Sequence, residues 1–192
     1  MDVARDNILR RVRAAVRAEA HRPSPPTTAQ IFPPISDSEA RFRAEFVTLQ
    51  GEIIDNVEAL HAFLNGFSKI ATDGGVLTSK IAGEPNASVR ECDLGVTECD
   101  CLVAQTGSIV VSTVSAGGRA LSVLPPTHLV IARCDQIVPD LASGLALLRK
   151  HYDKHWPSAL SVITGPSRTA DIEKILVMGA HGPKRLALYF AD

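Results

Sequence analysis

The sequence predicts an α/β domain with a mainly parallel β-sheet flanked by helices and one β-hairpin. Three observations carry this reading. Short apolar runs, such as Leu129-Val130-Ile131 and Leu186 to Phe190, have the length and composition of buried strands. Helical stripes lie between them, as at Val57, Leu60, Phe63 and Leu64. Strand, Gly turn and strand follow each other at Leu102-Val103-Ala104, Thr106-Gly107-Ser108 and Ile109-Val110-Val111, which reads as a hairpin. Strands alternating with helices are the mark of a parallel sheet with crossover connections.

The elements follow in order. Residues 1–21 are expected to form an amphipathic helix, with Ile8, Val12 and Val16 on one face and Arg5, Arg10, Arg11, Arg13 and Arg17 filling much of the rest. Either it is a basic docking arm or it lies on a domain surface; Asp2, Asp6 and Glu19 argue against a transit peptide. Residues 22–36 hold Pro23, Pro25, Pro26, Pro33 and Pro34 and read as an extended linker. Residues 37–192 form the main domain. Ser36 with Glu39 resembles a capping box opening a helix that carries Phe42 and Phe46. A short strand at Gly51 to Ile54, a helix ending near Asn65-Gly66, a strand at Ser68 to Ala71 and a turn at Asp73-Gly74-Gly75 come next. Leu77 to Val89 has no clear pattern. His128 to Ala132 is a buried strand. Pro139 is placed as the first residue of a helix whose core face is Leu141, Leu145 and Leu148. His151 and His155 then sit four apart near its end, a metal-ligand spacing with no carboxylates to complete it, so they read as surface residues.

The stretch from Ile163 to Glu173 is expected to be a strand end, a Gly165-Pro166-Ser167 loop and the first turn of a helix that stops near Met178-Gly179. In a parallel sheet ligands gather at the carboxyl ends of strands, and Thr164, Gly165 and Ser167 would offer donors there. Ser115 to Arg119 supplies a Gly-rich loop, in which Gly118 would allow close approach and Arg119 would clamp a carboxylate or phosphate. Thr106 and Gly107 are either turn residues or ligand-orienting groups. Asp171 and Glu173 lie about 200° apart on a helix, so only one can face a ligand, as a general base or cation ligand. The other reading is that they stabilise the helix start. His181, in a Gly-Pro turn, is a third candidate for proton transfer.

Composition excludes several classes. The net charge of −1, one Trp and two Tyr give neither the field nor the stacking platforms for nucleic acid. No apolar run nears the roughly 20 residues of a membrane span. Cys92, Cys99, Cys101 and Cys134 lack zinc or iron–sulfur spacing and read as reduced thiols in a cytoplasmic protein. No G-x-G-x-x-G, Walker loop or G-x-S-x-G is present, so Ser167 is a cap or anion donor rather than a hydrolase nucleophile. No resident cofactor or metal is expected from these motifs.

Thr106-Gly107-Ser108-Ile109-Val110, Gly118-Arg119 with Leu124-Pro125, the run from Ile163 to Glu173, and His181-Gly182-Pro183 occur in that order. This series resembles the LUD-domain family of lactate-utilization proteins. The match is close from about Cys92 onward and agrees only in outline before it. The resemblance implies a fold similar to the sugar-phosphate isomerase and CoA-transferase group. It also implies a bacterial protein serving growth on L-lactate, with iron–sulfur proteins as partners. The family's usual E-T-G is Gln105-Thr106-Gly107 here, and an amide cannot act as a base or nucleophile. The expected function is therefore a subunit of a system oxidising L-lactate to pyruvate, binding a small anion or organising iron–sulfur partners. An independent CoA-transferase-like or isomerase-like enzyme, and a structural adaptor, are the alternatives.

Overall fold

A computed structural model of the chain describes residues 3–17, 33–169, 177–179 and 181–191. The chain divides into two compact units, Met1–Pro34 and Ile35–Asp192. In the first, helix α1 (Val3–Arg17) exposes Val3, Ile8, Val12 and Val16 along its apolar stripe. Most of the proline-rich stretch lies outside the described residues.

The second unit is built on a parallel five-stranded sheet. Its strands are β1 (Glu52–Ile54), β2 (Ile70–Thr72), β3 (Leu94–Glu98), β6 (Thr127–Ala132) and β11 (Arg185–Phe190), in the order β1-β11-β6-β3-β2. The expected strands at 128–132 and 186–190 are thus central. Both are mostly apolar, because neighbours cover both faces. Helices α3 (Val57–Asn65) and α4 (Val76–Ala82) lie on one side, where Leu60 packs with Leu94, Val96, Leu129 and Ile131. Alternate residues Val130, Ala132, Leu186 and Leu188 point to the other side, against Phe42 and Phe46 of α2 (Ser38–Thr48).

That second side is completed by a second sheet. It comprises β4 (Cys101–Val103), β5 (Ser108–Ser112), β7 (Ile137–Val138) and β8 (Leu160–Ile163), in the order β7-β4-β5-β8. The expected hairpin is its centre, with Leu102 opposite Ile109. Leu102, Ile109 and Val111 face the first sheet, while Cys101, Val103 and Val110 face outward against Leu148 of α5 (Leu141–Tyr152). The layers are therefore helices, parallel sheet, α2 with the mixed sheet, and α5.

Several local expectations are corrected. The cap of α2 is Asp37, whose carboxylate accepts the Ala40 N–H at 2.9 Å, not Ser36. Asp140 caps α5 through the Ser143 N–H at 2.7 Å, which leaves Pro139 outside the helix. The buried face of α5 is Gly144 and Leu148, and Leu141 and Leu145 are exposed. Gly144 is small because the Cys101 sulfur lies only 3.1 Å from where its Cβ would be. The helix ends at Tyr152, and Asp153 turns to φ 43°, so His151 and His155 do not share a helical face. The unpatterned stretch after Gly75 begins with α4, whose seven residues are too few to show a period. Arg168–Thr169 is strand β9, paired antiparallel with β10 (Val177–Met178), so Met178 lies in a strand, and the body of the expected helix lies outside the described residues. All four cysteines are free thiols.

One buried polar pair crosses the central strands. The Nε2 of His128 is 2.9 Å from the Thr97 hydroxyl, and its Nδ1 has no partner among the described residues. Burial lowers the imidazole pKa from 6.5 to about 4. Above 6.5 neither the folded nor the unfolded chain holds this proton. Between 6.5 and about 4 the unfolded chain binds it and the folded chain does not, so stability falls with pH by up to about 3 kcal/mol. Urea unfolding at neutral and acidic pH measures this. The difference between the two pH values should shrink in His128→Asn, and an unchanged difference would rule His128 out as its source.

Candidate functional site

The candidate residues fall into three places rather than one. Antiparallel pairing of β5 with β8 sets Ile109 against Ile163 and so brings the T-G-S and T-G-P turns side by side. Their hydroxyls form a chain: Thr106 Oγ1 to Ser108 Oγ at 2.8 Å, then Ser108 Oγ to Thr164 Oγ1 at 2.8 Å. Gly107 and Gly165 adopt φ 59° and 81°, a region that L side chains enter at a cost. Both are pressed against the carboxyl-terminal part of α2 and the residues just after it. A Cβ on Gly107 would lie 2.5 Å from the Phe46 nitrogen, and one on Gly165 would lie 2.7 Å from the Leu49 carbonyl oxygen. The two glycines seat α2, and the space beside them is filled by protein.

Ser167 stands just beyond, joined to the H-G-P turn. Its N–H donates to the Pro183 carbonyl at 2.8 Å, and its own carbonyl accepts the Gly179 N–H at 2.9 Å. His181 and Gly182 border a surface pocket of about 410 Å³ that Leu124 and Lys184 also line. Lys184 rests its carbon stem on Gly179, where a Cβ would come within 2.2 Å of Cγ. Sequence reading passed over Lys184, although its place directly after H-G-P was a signal. This pocket lies at the amino ends of β6 and β11, since Pro126 and Lys184 precede them. The carboxyl-end rule for parallel sheets does not reach Thr164, because β8 belongs to the mixed sheet. Asp171 and Glu173 lie outside the described residues.

Gly118 and Arg119 lie at the other end of the β5–β8 ladder. The Arg119 guanidinium donates to the Ser158 carbonyl at 3.2 Å, two residues before β8, while Thr164 follows the end of that strand. The two Gly-rich stretches therefore do not enclose one ligand. Gly117 touches Asp73, with a Cβ only 2.8 Å from the Asp73 Cα, and Gly118 faces open space. The Asp73-Gly74-Gly75 turn is occupied by its own carboxylate, which accepts the N–H groups of Gly75 at 2.8 Å and Glu98 at 2.7 Å.

A fourth place was not foreseen. At the carboxyl ends of β3 and β6, a second cavity of about 410 Å³ opens between the chain and α5. Asp100 on its wall accepts hydrogen bonds from the Tyr152 hydroxyl, from Ser115 Oγ at 2.6 Å and from Ser112 Oγ at 3.4 Å. Burial, then hydrogen bonding to Asp100, pushes the Tyr152 phenol up to about 12. Burial also raises the Cys99 thiol well above its ordinary value, which keeps it protonated and unreactive. Asp100 and Tyr152 are 52 residues apart, and nothing local in the sequence couples them.

The LUD domain profile matches residues 39–190. The chain belongs to the LUD-domain family. It is similar to proteins named lactate utilization protein C: 36% identical over 107 residues to that of Geobacillus sp. (strain WCH70), covering 54% of this chain and 44% of the relative. Against that of Bacillus subtilis (strain 168) it is 35% identical over 108 residues, covering 55% and 45%. The chain thus spans less than half the length of these relatives. A crystal structure of a DUF162 family protein from Deinococcus radiodurans shares the fold, with a TM-score of 0.60 and 21% identity over 83% of this chain and 100% of that one. No helix among the described residues is long and apolar enough to cross a membrane.

The seating of α2 gives a direct test. Gly165→Ala adds a strained φ and a contact with the Leu49 carbonyl, so it should cost about 2 kcal/mol or more in chemical denaturation. Gly118→Ala has a strained φ but open space around it and should cost less. Equal costs would show that the LUD-domain turns do not hold α2.

Proposed function

We propose that this LUD-domain chain is a subunit of a system that oxidises L-lactate to pyruvate, where it binds a small anionic ligand and organises iron–sulfur redox partners. The names of its relatives support the pathway. The observation that supports a binding role is the junction of two motifs, in which the Ser167 N–H meets the Pro183 carbonyl at 2.8 Å beside His181 and Lys184. Lys184 and His181 offer nitrogen donors to a ligand in this pocket.

In this reading Arg119 acts elsewhere, holding the Ser158 carbonyl and with it the start of β8. Thr106, Gly107, Thr164 and Gly165 support the site by fixing α2 and the hairpin rather than by touching the ligand. Reactive chemistry belongs to the redox partners, and this chain supplies charge, donors and surface.

Reconstituted lactate oxidation with and without the chain tests the role. The rate should fall roughly tenfold or more without it. A His181→Ala/Lys184→Ala variant that keeps its circular dichroism spectrum should reproduce much of that loss. A rate indifferent to the chain would remove the proposal.

A further inference from the structure

The mixed sheet is open along one side. Among the described residues β8 pairs with β5 and has no strand on its other edge. Ser161 and Val162 point to opposite faces of the sheet, and both are exposed. The ladder fixes where the free backbone groups point. One step beyond the Ser112–Leu160 pair, the Thr113 N–H donates to the Ala159 carbonyl at 3.1 Å. In an antiparallel ladder the residues that exchange hydrogen bonds alternate with residues that turn the other way. Ala159, Ser161 and Ile163 thus address β5, while Leu160 and Val162 present their N–H and C=O groups at the free edge. Leu160 to Ile163 contains no Lys and no Pro, the residues that commonly keep an exposed edge from pairing.

The two faces beside this edge differ. Leu160 and Tyr152 pack against the cluster of Cys101, Val103, Val110 and Leu148 on the α5 face. Val162, opposite Val110, lies on the same face and is 46% exposed. The Trp156 ring lies 6.4 Å from that of Tyr152 and is 45% exposed. The other face presents Ser161. Exposed basic side chains stand at both ends of the strand. At its start the Arg119 guanidinium donates to the Ser158 carbonyl at 3.2 Å, and Lys154 precedes it in the turn after α5. Arg168 follows its end.

We propose that the free edge of β8 binds an extended segment of another protein as a fifth strand, a segment with acidic ends and apolar residues alternating with hydroxyl residues. Leu160 and Val162 supply the main-chain bonds that hold an added strand. Alternate side chains of that strand fall on the α5 face beside Leu160 and Val162, which selects apolar groups. The others fall beside Ser161, which selects small hydroxyl groups. The acidic ends match Arg119, Lys154 and Arg168. These same residues argue against a second copy of the chain. Antiparallel pairing of β8 with itself would bring the Arg168 end of each strand to the Arg119 end of the other. The inference goes beyond the functional reading above. Peptide binding is measured without lactate or redox partners, so either can fail while the other holds.

Fluorescence anisotropy of a labelled peptide, Glu-Asp-Val-Thr-Val-Thr-Val-Asp-Glu, titrated with the whole chain tests it. The peptide should bind saturably with a Kd of about 100 µM or tighter. The same peptide N-methylated along its five central residues cannot donate to the edge and should bind roughly tenfold more weakly or worse. A version with lysine at all four acidic positions should lose roughly as much. Val162→Pro removes an outward N–H and leaves the bonds to β5 in place, a substitution that an edge strand accepts. It should keep its circular dichroism spectrum and weaken the peptide roughly tenfold. Val76→Ser, at a position 84% exposed on α4, should change nothing. The two peptide comparisons decide the matter on the unaltered chain, whatever Val162→Pro does to folding. No saturable binding up to about 1 mM, methylated or lysine-ended peptide binding as tightly, or unchanged binding by folded Val162→Pro would each overturn the inference. So would sedimentation showing that the chain pairs with itself through an association that Val162→Pro abolishes.

Discussion

A parallel sheet with apolar side chains on both faces must be covered on both faces, and this requirement shapes the whole domain. Two helices cover one face. Among the described residues of this unit the helix that packs on the other is α2, and it is too short to cover five strands alone. The chain solves this at Cys99-Asp100, where it leaves β3 and starts β4 in a second sheet. Leu102, Ile109 and Val111 then complete the cover. Because the hairpin is spent on that interface, its outer face needs α5, and Cys101, Val103 and Val110 receive Leu148. Asp100 sits at the crossing. Its bonds to Tyr152, Ser112 and Ser115 tie the crossing to the end of α5 and the loop after β5. Packing and the polar network are thus two parts of one junction.

The sequence made the buried strands legible because a strand apolar on both sides leaves a continuous run. It made the hairpin legible because Gly107 marks its turn. It also made α3 legible, with its stripe and its Gly66 ending. Elements set by distant partners were hidden. Val177–Met178 reads as a helix end until Arg168–Thr169 pairs with it. Leu145 fits a helical stripe, yet the neighbour that decides which face is buried is Cys101, more than 40 residues away. Asp37 and Ser36 are both good caps, and only the hydrogen bond to Ala40 separates them.

The motifs were legible as a group and misleading one by one. A glycine beside polar residues suggests room for a ligand. At Gly107 and Gly165 that room holds the end of α2. The same physics, a missing Cβ allowing close backbone approach, serves packing here. Membership of the LUD-domain family explains why the series runs together, and the structure shows that much of it holds the hairpin, α2 and β8 in register. The places with unspent chemistry are elsewhere: Lys184 and His181 at the amino ends of the central strands, and Asp100 with Tyr152 at their carboxyl ends.

A crystal structure of the protein grown in L-lactate tests this division most directly. The account predicts lactate against His181 and Lys184, with α2 still seated on Gly107 and Gly165. Lactate lying on those two glycine turns, with α2 lifted away from them, would contradict it.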